Sequence, residues 1–379
     1  MKVAFLINIV TPYTHRLFER LGEGLGGGLD VFACSESEPG RHWMLDPPVT
    51  YARRALAGLR LHRSYVSHIY LNPGIVPALL RTRYDVVLIS DFSPTMMLAS
   101  ICARLRGIPV VISTDGQPDT DPGRTSIVHR IARRLVVPAS AAGVGASRGS
   151  LALLEAYGLP PGAGFLSPIT PGWDYTLPSP DFAARPFDLL FCGHLDDDRK
   201  GLLFFLEVVE ALVARGRAPS VRVTGDGPLR GVAEARLAAA GVAARFDGYL
   251  AQDALAEAYT SAKLFLFPSR GDPWGLVANE AIQCGTPVIA SLHAQSALEL
   301  VGPSGAGVVL PLDVTAWADA TGHYLDDPDA WEAARDSAAR VTRDFSLDAM
   351  ANGFLSAFAR VTATSDPCSP GRYQPGRSA

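Results

Sequence analysis

The chain has 379 residues, of which 48% are hydrophobic and 19% charged, and its formal net charge at pH 7 is −4. This length suits two domains that each bury a core, and the composition is that of a globular protein rather than a disordered one. A general nucleic-acid binder normally carries a basic excess, so the acidic balance argues against that class.

Five cysteines are spread along the chain without a Cys-x-x-Cys pair. Their odd number and wide spacing predict a reducing compartment without structural zinc, so we expect a cytoplasmic protein. The apolar start, Met1 to Val10, is short and is interrupted by Asn8. We interpret it as a first strand rather than a signal peptide. No run of 18 apolar residues occurs that would suit a membrane span.

The first half alternates apolar strands with helices. The predicted strands are Val3 to Ile7, Val31 to Ala33, Asp85 to Ser90, Pro109 to Ser113 and Ala142 to Ala146. Helices are predicted to begin at Leu17, to run from Met96 to Leu105, and to lie near Leu151 to Tyr157, with a polar loop at Thr11 to His15. Such alternation predicts a parallel sheet with right-handed crossovers.

A Gly- and Pro-rich stretch, 158–186, has little periodicity, and within it we place a domain linker at 171–186. The alternation then starts again. The second set of predicted elements is Phe187 to Cys192, Gly201 to Ala214, Val221 to Thr224, Leu229 to Ala240, Lys263 to Phe267, Leu276 to Cys284, Pro287 to Ala290 and Trp331 to Val341. We therefore predict domains at 1–170 and 187–345, a last helix at 346–361 and a disordered tail at 362–379.

Gly22, Gly24 and Gly27 match the pattern G-x-G-x-x-G, which in a dinucleotide-binding domain follows a strand and opens a helix. Here the pattern follows a predicted helix and precedes a strand. We interpret it as a helix end and a turn, which argues against a nicotinamide oxidoreductase. A P-loop sequence does not occur either, so this class of NTPase is also excluded.

The segment 268–291 carries the most chemistry. A strand ends at Pro268, a turn carries Asp272, and a helix opens near Gly275. Unpaired N–H groups at a helix start form an anion site, and Gly275 lets a phosphate approach closely. Asp272 and Glu280 flank this position and would suit hydroxyl groups at the two ends of a pyrophosphate. The alternative is that Asp272 caps the helix and Glu280 is a solvated helix residue.

This segment resembles the E-x7-E signature of the retaining glycosyltransferases of family 4, with Asp272 at the first acidic position and Glu280 at the second. The resemblance implies an α/β fold of the GT-B architecture, with two Rossmann-like domains whose parallel sheets face each other across a cleft. It implies that Gly275, Leu276 and Val277 bind the donor. It also implies a nucleotide-sugar-binding second domain and a last helix that crosses back to the first domain.

Other segments resemble the family in the expected order. Lys200 matches the lysine that holds the donor pyrophosphate, whereas His194 replaces the usual arginine, so Arg199 is the candidate to supply the missing charge. Gly225 lies in a G-x-G-P turn near the nucleotide, and Leu250 lies in the segment that touches the base. The stretch Pro171-Gly172-Trp173-Asp174 resembles the one that follows the family's first domain.

The resemblance is strong over about 185–350 and weak before residue 170. Thr11 to Arg16 stands where the family has a pair of glycines. Asp115 stands where a histidine often follows the predicted strand at Pro109 to Ser113. By analogy Asp115 would contact the donor sugar; the alternative is an ordinary turn residue before Gly116.

The resemblance implies a retaining hexosyltransferase that transfers a sugar from a nucleotide-sugar, a UDP-sugar before a GDP-sugar, to an acceptor hydroxyl. Its catalytic residues would be Asp272, Lys200 and Asp115. The nucleotide-sugar would serve as co-substrate, and the reaction would need no cofactor and no metal ion. The acceptor would be a natural product, a glycan or a lipid-linked sugar. Two alternatives are a sugar-nucleotide epimerase of the same fold and a catalytically silent sugar-nucleotide-binding subunit.

Basic residues of the first domain suggest a peripheral contact with the inner membrane face. These residues are Arg53, Arg54, Arg60, Arg63, His129, Arg130, Arg133 and Arg134. Gathered on one side, they would attract anionic lipid. An ordinary solvated helix face is the alternative, and a lipid acceptor would favour the membrane.

Overall fold

The computed structural model describes residues 1–36, 45–64, 67–119, 121–171 and 179–363. Two predictions concern residues outside these ranges: the family-like Gly172-Trp173-Asp174 and nearly all of the tail, 364–379.

The first part of the chain is an α/β domain around a parallel sheet. Its strands are β1 (Val3–Ile7), β2 (Leu29–Ala33), β3 (Ala52–Ala55), β4 (Leu59–Ser64), β5 (Ser67–Leu71), β6 (Val86–Ile89), β7 (Val110–Thr114), β8 (Ala142–Gly145) and β9 (Gly164–Leu166). Its helices are α1 (Pro12–Gly24), α2 (Ile75–Arg81), α3 (Pro94–Leu105), α4 (Ile127–Val136) and α5 (Arg148–Ala156). The sheet order is β3-β2-β1-β6-β7-β8-β9, and β4 pairs with β5 as a separate antiparallel hairpin.

The second part repeats this architecture with a smaller sheet. Its strands are β10 (Phe187–Cys192), β11 (Val221–Thr224), β12 (Ala244–Gly248), β13 (Ala262–Phe267), β14 (Val288–Ser291) and β15 (Gly307–Leu310). Its helices are α6 (Leu202–Ala214), α7 (Arg230–Ala239), α8 (Gln252–Thr260), α9 (Leu276–Gln283), α10 (Gly302–Ser304), α11 (Val314–Asp326), α12 (Pro328–Val341) and α13 (Leu347–Ala363). The sheet order is β12-β11-β10-β13-β14-β15. Two parallel sheets of this kind confirm the predicted pair of Rossmann-like domains.

Side chains of the first sheet point alternately into two cores, as expected for a sheet covered on both faces. Phe5 of β1 lies 4.8 Å from the ring of Phe18 in α1 and 5.5 Å from that of Phe354 in α13. Its neighbour Leu6 belongs to the opposite core, which also contains Leu79 of α2 and Met96 of α3. Helices α1 and α13 therefore cover one face, and α2 and α3 cover the other.

The last helix is part of the first domain's core although the second domain precedes it in the chain. Met350, Phe354, Phe358 and Val361 of α13 are buried with side chains of β1 and α1. Ser167, just after β9, donates a hydrogen bond of 2.7 Å to the carbonyl of Met350.

One local prediction was wrong. The polar loop expected at Thr11 to His15 is the first turn of α1, because Thr11 caps the helix with Thr14 in a reciprocal pair of hydrogen bonds and Pro12 stands at its first position. Within the Gly- and Pro-rich stretch 158–186, Gly164–Leu166 forms the edge strand β9, which precedes the predicted linker at 171–186.

The glycine pattern at residues 22–27 ends a helix, as predicted. Gly22 and Gly24 lie in the last turns of α1, and Gly27 has a positive φ of 79° in the turn that leads to β2.

Truncating Phe358 tests whether α13 stabilises the first domain. Phe358→Ala removes a fully buried ring from this core, and we expect the free energy of unfolding to fall by about 3–5 kcal/mol. Ser356→Ala, on the exposed side of the same helix, is the control. Thermal and chemical denaturation followed by circular dichroism measure both; equal stability of the two variants would contradict the assignment of α13 to this core.

Candidate active site

The carboxyl ends of β10, β11 and β13 meet at one edge of the second sheet, where ligands of such sheets bind. The loops that follow β10 and β11 cross so closely that their backbones are in contact. A Cβ on Gly225, after β11, would lie 1.9 Å from the carbonyl oxygen of Gly193, after β10, and Gly225 has a positive φ of 122°. Only glycine fits this crossing, which brings the predicted phosphate-binding loop beside the G-x-G-P turn.

Lys200 is held at this edge by its backbone and its side chain. Its N–H donates to the Asp196 carboxylate at 2.9 Å, and its Nζ lies 2.5 Å from Oδ2 of Asp272. Both side chains of this pair are only 11% exposed. Two residues that sequence analysis selected separately, 72 positions apart, therefore form one ion pair.

Helix α9 begins beside this pair. Gly275 caps the helix with a φ of 95°, and a Cβ there would lie 2.7 Å from the ring of Phe267. The backbone therefore passes close to the end of β13, and Leu276 and Val277 form the first turn of α9. A helix start carries partial positive charge and unpaired N–H donors, so this corner suits an anion.

Glu280 is buried one and a half turns into α9, which contradicts the alternative of a solvated helix residue. Its side chain accepts a hydrogen bond of 2.8 Å from the hydroxyl of Tyr259 and is 8% exposed. Burial raises the pKa of Glu280 to about 6, while the bond from Tyr259 and the charge of Lys200 act in the opposite direction. The second carboxylate oxygen retains capacity for a ligand hydroxyl.

His194 and Arg199 occupy the loop after β10 in different ways. Nδ1 of His194 lies 2.9 Å from the hydroxyl of Tyr249, which donates in turn to the carbonyl of Asp226 at 3.2 Å. Arg199 is exposed, and its carbonyl accepts from the N–H of Arg270 at 2.8 Å. His194 is therefore placed against the nucleotide-side turn, whereas the Arg199 guanidinium extends into solvent.

Asp115 approaches the same site from the first domain, at the end of β7. Its loop is tied across the cleft by Gln117, whose side chain donates to the carbonyl of Pro273 at 3.4 Å. The Asp115 side chain is exposed to the cleft. Desolvation by the protein atoms around the cleft raises the pKa of Asp115, the bond from its own backbone opposes the rise, and the carboxylates of Asp91 and Asp272 add to it.

A cavity of about 430 Å³ lies at the carboxyl ends of the first sheet. Asn8 and Asp91 stand at its mouth, where the Asn8 amide donates to the Asp91 carboxylate at 2.5 Å, and Asp115 lines the same cavity. Phe354 of α13 and Phe18 of α1 form part of its apolar side. This cavity has the mixed polar and apolar lining of a small-molecule site.

The two domains meet at the loop that carries Asp272. Trp274 is buried in the core of the first domain, stacks at 5.7 Å on Phe345, and donates to Asn279 of α9 at 2.7 Å. Asn279 donates in turn to the carbonyl of Ile169 at 3.3 Å. The start of α9 is therefore fixed with respect to both domains.

The structure brings together most of the residues selected from the sequence. Lys200, Asp272, Glu280 and the start of α9 form one cluster, and Asp115 faces it. Gly225 and Leu250 lie at the ends of β11 and β12, on the nucleotide side. Among the residues that the structure describes, no group of three or more His, Cys, Asp or Glu side chains is placed to hold a metal ion.

Sequence analysis did not select Tyr259, Asn8 or Asp91, and it selected Leu250 but not its neighbour Tyr249 in the same family-like segment. Tyr259 lacks a motif, and the contacts of Tyr259 with Glu280 and of Tyr249 with His194 are visible only in the fold. Asn8 and Asp91 were detectable in principle, because each is a polar residue just after a buried strand of the parallel sheet.

Solved structures share this architecture over nearly the whole chain. HepE of Anabaena, in complex with UDP, superimposes with a TM-score of 0.72 at 14% identity, covering 95% of this chain and 100% of that one. WaaG, a glycosyltransferase involved in lipopolysaccharide biosynthesis, superimposes with a TM-score of 0.63 at 16% identity, covering 95% and 99%. At such identities the likeness concerns the fold, and the fold is GT-B.

Sequence comparison identifies the second domain more narrowly. Residues 186–327 match the family model of the group 1 glycosyl transferases. Alpha-D-kanosaminyltransferase of Streptomyces kanamyceticus is 28% identical over 158 residues, 41% of this chain and 40% of that protein. D-inositol 3-phosphate glycosyltransferase of Rhodococcus opacus (strain B4) is 32% identical over 166 residues, which are 41% of this chain and 37% of that protein. The chain thus matches about two fifths of the length of these curated relatives, and the match to the group 1 family model lies within its second domain.

The raised pKa of Glu280 gives a prediction for stability. The folded protein holds this proton more tightly than the unfolded chain, whose reference pKa is 4.5. The contribution of Glu280 to the free energy of unfolding should therefore be fully present below pH 4.5 and be lost, by up to about 2 kcal/mol, as the pH rises through 6.

Glu280→Gln keeps an acceptor for Tyr259 but cannot ionise, so the difference in stability between this variant and the wild type should grow over this pH range. Glu234→Gln, at a half-exposed site on α7, is the control. Thermal denaturation between pH 4 and 8 measures all three; a difference independent of pH would show that Glu280 titrates normally.

Proposed function

We propose that the chain is a retaining hexosyltransferase that transfers a sugar from a nucleotide-sugar, a UDP-sugar in the first place, to an acceptor hydroxyl without a metal ion. The observation that carries the proposal is the buried Lys200–Asp272 pair at the start of α9, with Glu280 behind it, inside the segment that matches the group 1 family. The structural relative HepE is described in complex with UDP, which supports the choice of nucleotide.

The positive charges of the site fit the leaving diphosphate. When the bond between the anomeric carbon and the phosphate oxygen breaks, negative charge develops on the pyrophosphate. The Lys200 ammonium and the first amides of α9 converge on this position and are fixed before the reaction, so they stabilise that charge without reorganisation. These two elements take the part that a divalent cation has in other transferases.

The carboxylates divide between the two ends of the donor. Glu280 would accept a hydrogen bond from a ribose hydroxyl, since one of its oxygens is occupied by Tyr259. Asp272 and, from the opposite domain, Asp115 would hold the transferred sugar. The transition state has oxocarbenium character. The acceptor would attack from the side of the leaving group, and the phosphate oxygen would take its proton, which retains the anomeric configuration.

The acceptor would enter through the cavity that Asn8, Asp91 and Asp115 border. Asp115 lines this cavity and interacts electrostatically with Asp272, so an acceptor hydroxyl bound there would lie on the sugar side of Lys200. The matched relatives are named as transferases, which favours transfer over epimerisation. A catalytically silent binding subunit would bind the nucleotide-sugar without releasing free nucleotide, so measurements of turnover distinguish it from the proposed enzyme.

Lys200→Ala should lower turnover on the order of 100- to 1000-fold, because it removes a preorganised charge that acts mainly in the transition state. Lys263→Ala is the matched control, since it breaks a Lys–Asp contact of 2.8 Å with Asp188 at the opposite end of the same sheet.

Release of UDP from UDP-sugars is measured with excess EDTA and with added Mg²⁺ or Mn²⁺. Full activity in EDTA together with an inactive Lys200→Ala is expected. Activity that is lost in EDTA and restored by Mn²⁺ would mean that a metal has the role given to Lys200.

Asp272→Asn should separate turnover from nucleotide affinity. The variant loses a contact to the sugar, so turnover should fall at least tenfold. It also frees Lys200 from an internal competitor, so UDP should bind about fivefold more tightly, the equivalent of about 1 kcal/mol for an ion pair that is not fully buried. Calorimetric titration with UDP and steady-state kinetics test both. Parallel losses of turnover and UDP affinity would place Asp272 on the nucleotide rather than the sugar.

A further inference from the structure

The outer side of α2, α3 and α4 is unusually apolar. Ten large hydrophobic side chains are more than half exposed in the described residues, and seven of them lie on these three helices. The seven are Leu80, Ile101, Leu105, Ile127, Val128, Ile131 and Leu135. Isolated exposed residues of this kind are ordinary, but a concentration on one layer of helices marks a surface that binds something.

These seven residues lie on one side of the molecule. Helix α2 packs against α3, and α3 packs against α4. The Arg106 guanidinium after α3 donates to the carbonyl of Thr82, just after α2, at 3.1 Å. A shallow pocket between Arg104 and Pro138 joins the end of α3 to the turn after α4. We call this side the outer helix face.

Helix α4 is turned with its apolar side outward. Arg133 points inward, where its Nε lies 2.7 Å from the Asp121 carboxylate and its guanidinium packs 4.5 Å over Phe92. Ile127 and Val128 are 68% and 71% exposed on the opposite side. A surface helix normally buries its apolar stripe and exposes its charges. Here the buried ion pair fixes the reverse orientation.

The outer helix face is also basic. The sequences of α2, α3 and α4 contain no aspartate or glutamate. Exposed arginines border the apolar residues at Arg81, Arg83, Arg104, Arg106 and Arg134. An apolar strip with an arginine border matches the interface of a bilayer that contains anionic lipid, where apolar insertion and charge attraction add.

We propose that the outer helix face docks the protein onto an anionic membrane surface. None of the helices in the described ranges is long and apolar enough to cross a membrane, so this contact is peripheral. A second copy of the chain fits this face less well, because a twofold pairing would place the arginine border against itself. The proposal does not depend on the proposed enzymatic activity.

The basic face expected from the sequence was wrong in its composition. Arg133 is buried and paired, and Arg53 and Arg54 lie on β3 at the far edge of the first sheet, where Arg54 is 3.6 Å from the Asp30 carboxylate. The arginines predicted to form one basic face therefore lie in different parts of the first domain. The outer helix face consists instead of apolar residues with a different set of arginines at its border.

Vesicle sedimentation of the full chain tests the proposal without any need for turnover. The wild type should sediment with vesicles of phosphatidylcholine and phosphatidylglycerol and only weakly with phosphatidylcholine alone. Combining Ile127→Ser, Val128→Ser and Ile131→Ser should lower binding at least tenfold. Arg104→Gln with Arg134→Gln should lower binding to the anionic vesicles about fivefold for each arginine.

Val232→Ser and Arg343→Gln, exposed positions on the second domain and after α12, are the matched controls and should bind as the wild type does. A wild type that stays in solution with both vesicle types would overturn the proposal, as would arginine variants that bind normally. So would a dimer in sedimentation equilibrium that the serine variant abolishes, because this result would assign the face to a second copy.

Discussion

The contact between Lys200 and Asp272 organises the donor side of this molecule. It joins the loop after β10 to the loop after β13, and it leaves neither charge unpaired in a largely buried position. A lone ammonium or carboxylate there would carry a large desolvation cost. The pair therefore orients a lysine beside a helix start. Under the proposed function, an entering diphosphate would compete with a carboxylate for the same ammonium, and this would couple nucleotide affinity to sugar recognition.

The second domain alone does not fix this arrangement. The loop between Asp272 and α9 carries Trp274 into the core of the first domain, and Glu299 accepts from the backbone N–H groups of Arg148 and Gly149 at 2.9 and 3.2 Å. Lys200, Asp272 and Asp115 are thus positioned by contacts between the two domains. A small change in the angle between the domains would move Asp115 with respect to Lys200, and under the proposed function this distance would affect sugar transfer.

The sequence was sufficient for several buried strands. Val3–Ile7 was predicted to the residue because a strand buried on both faces is continuously apolar. Phe187–Cys192 and Val221–Thr224 were also predicted to the residue, although Asp188 and Arg222 interrupt their apolar runs. The edge strands Ala52–Ala55 and Ala244–Gly248 were missed because they are polar and partly exposed. The contacts of Lys200 with Asp272 and of Glu280 with Tyr259 depend on how distant loops and helices approach each other, and local patterns contain no such information.

The return of α13 to the first domain has a consequence for how the chain is made. A ribosome releases the β1 and α1 side of the first core long before it releases Phe354 and Phe358, which complete that core. Domains usually fold as units during synthesis, in order from the N-terminus. Here the first domain has to wait with one face of its sheet covered only by α1 until the second domain has been synthesised. The nascent chain therefore exposes an apolar surface for most of its translation, and it finishes both domains almost at once.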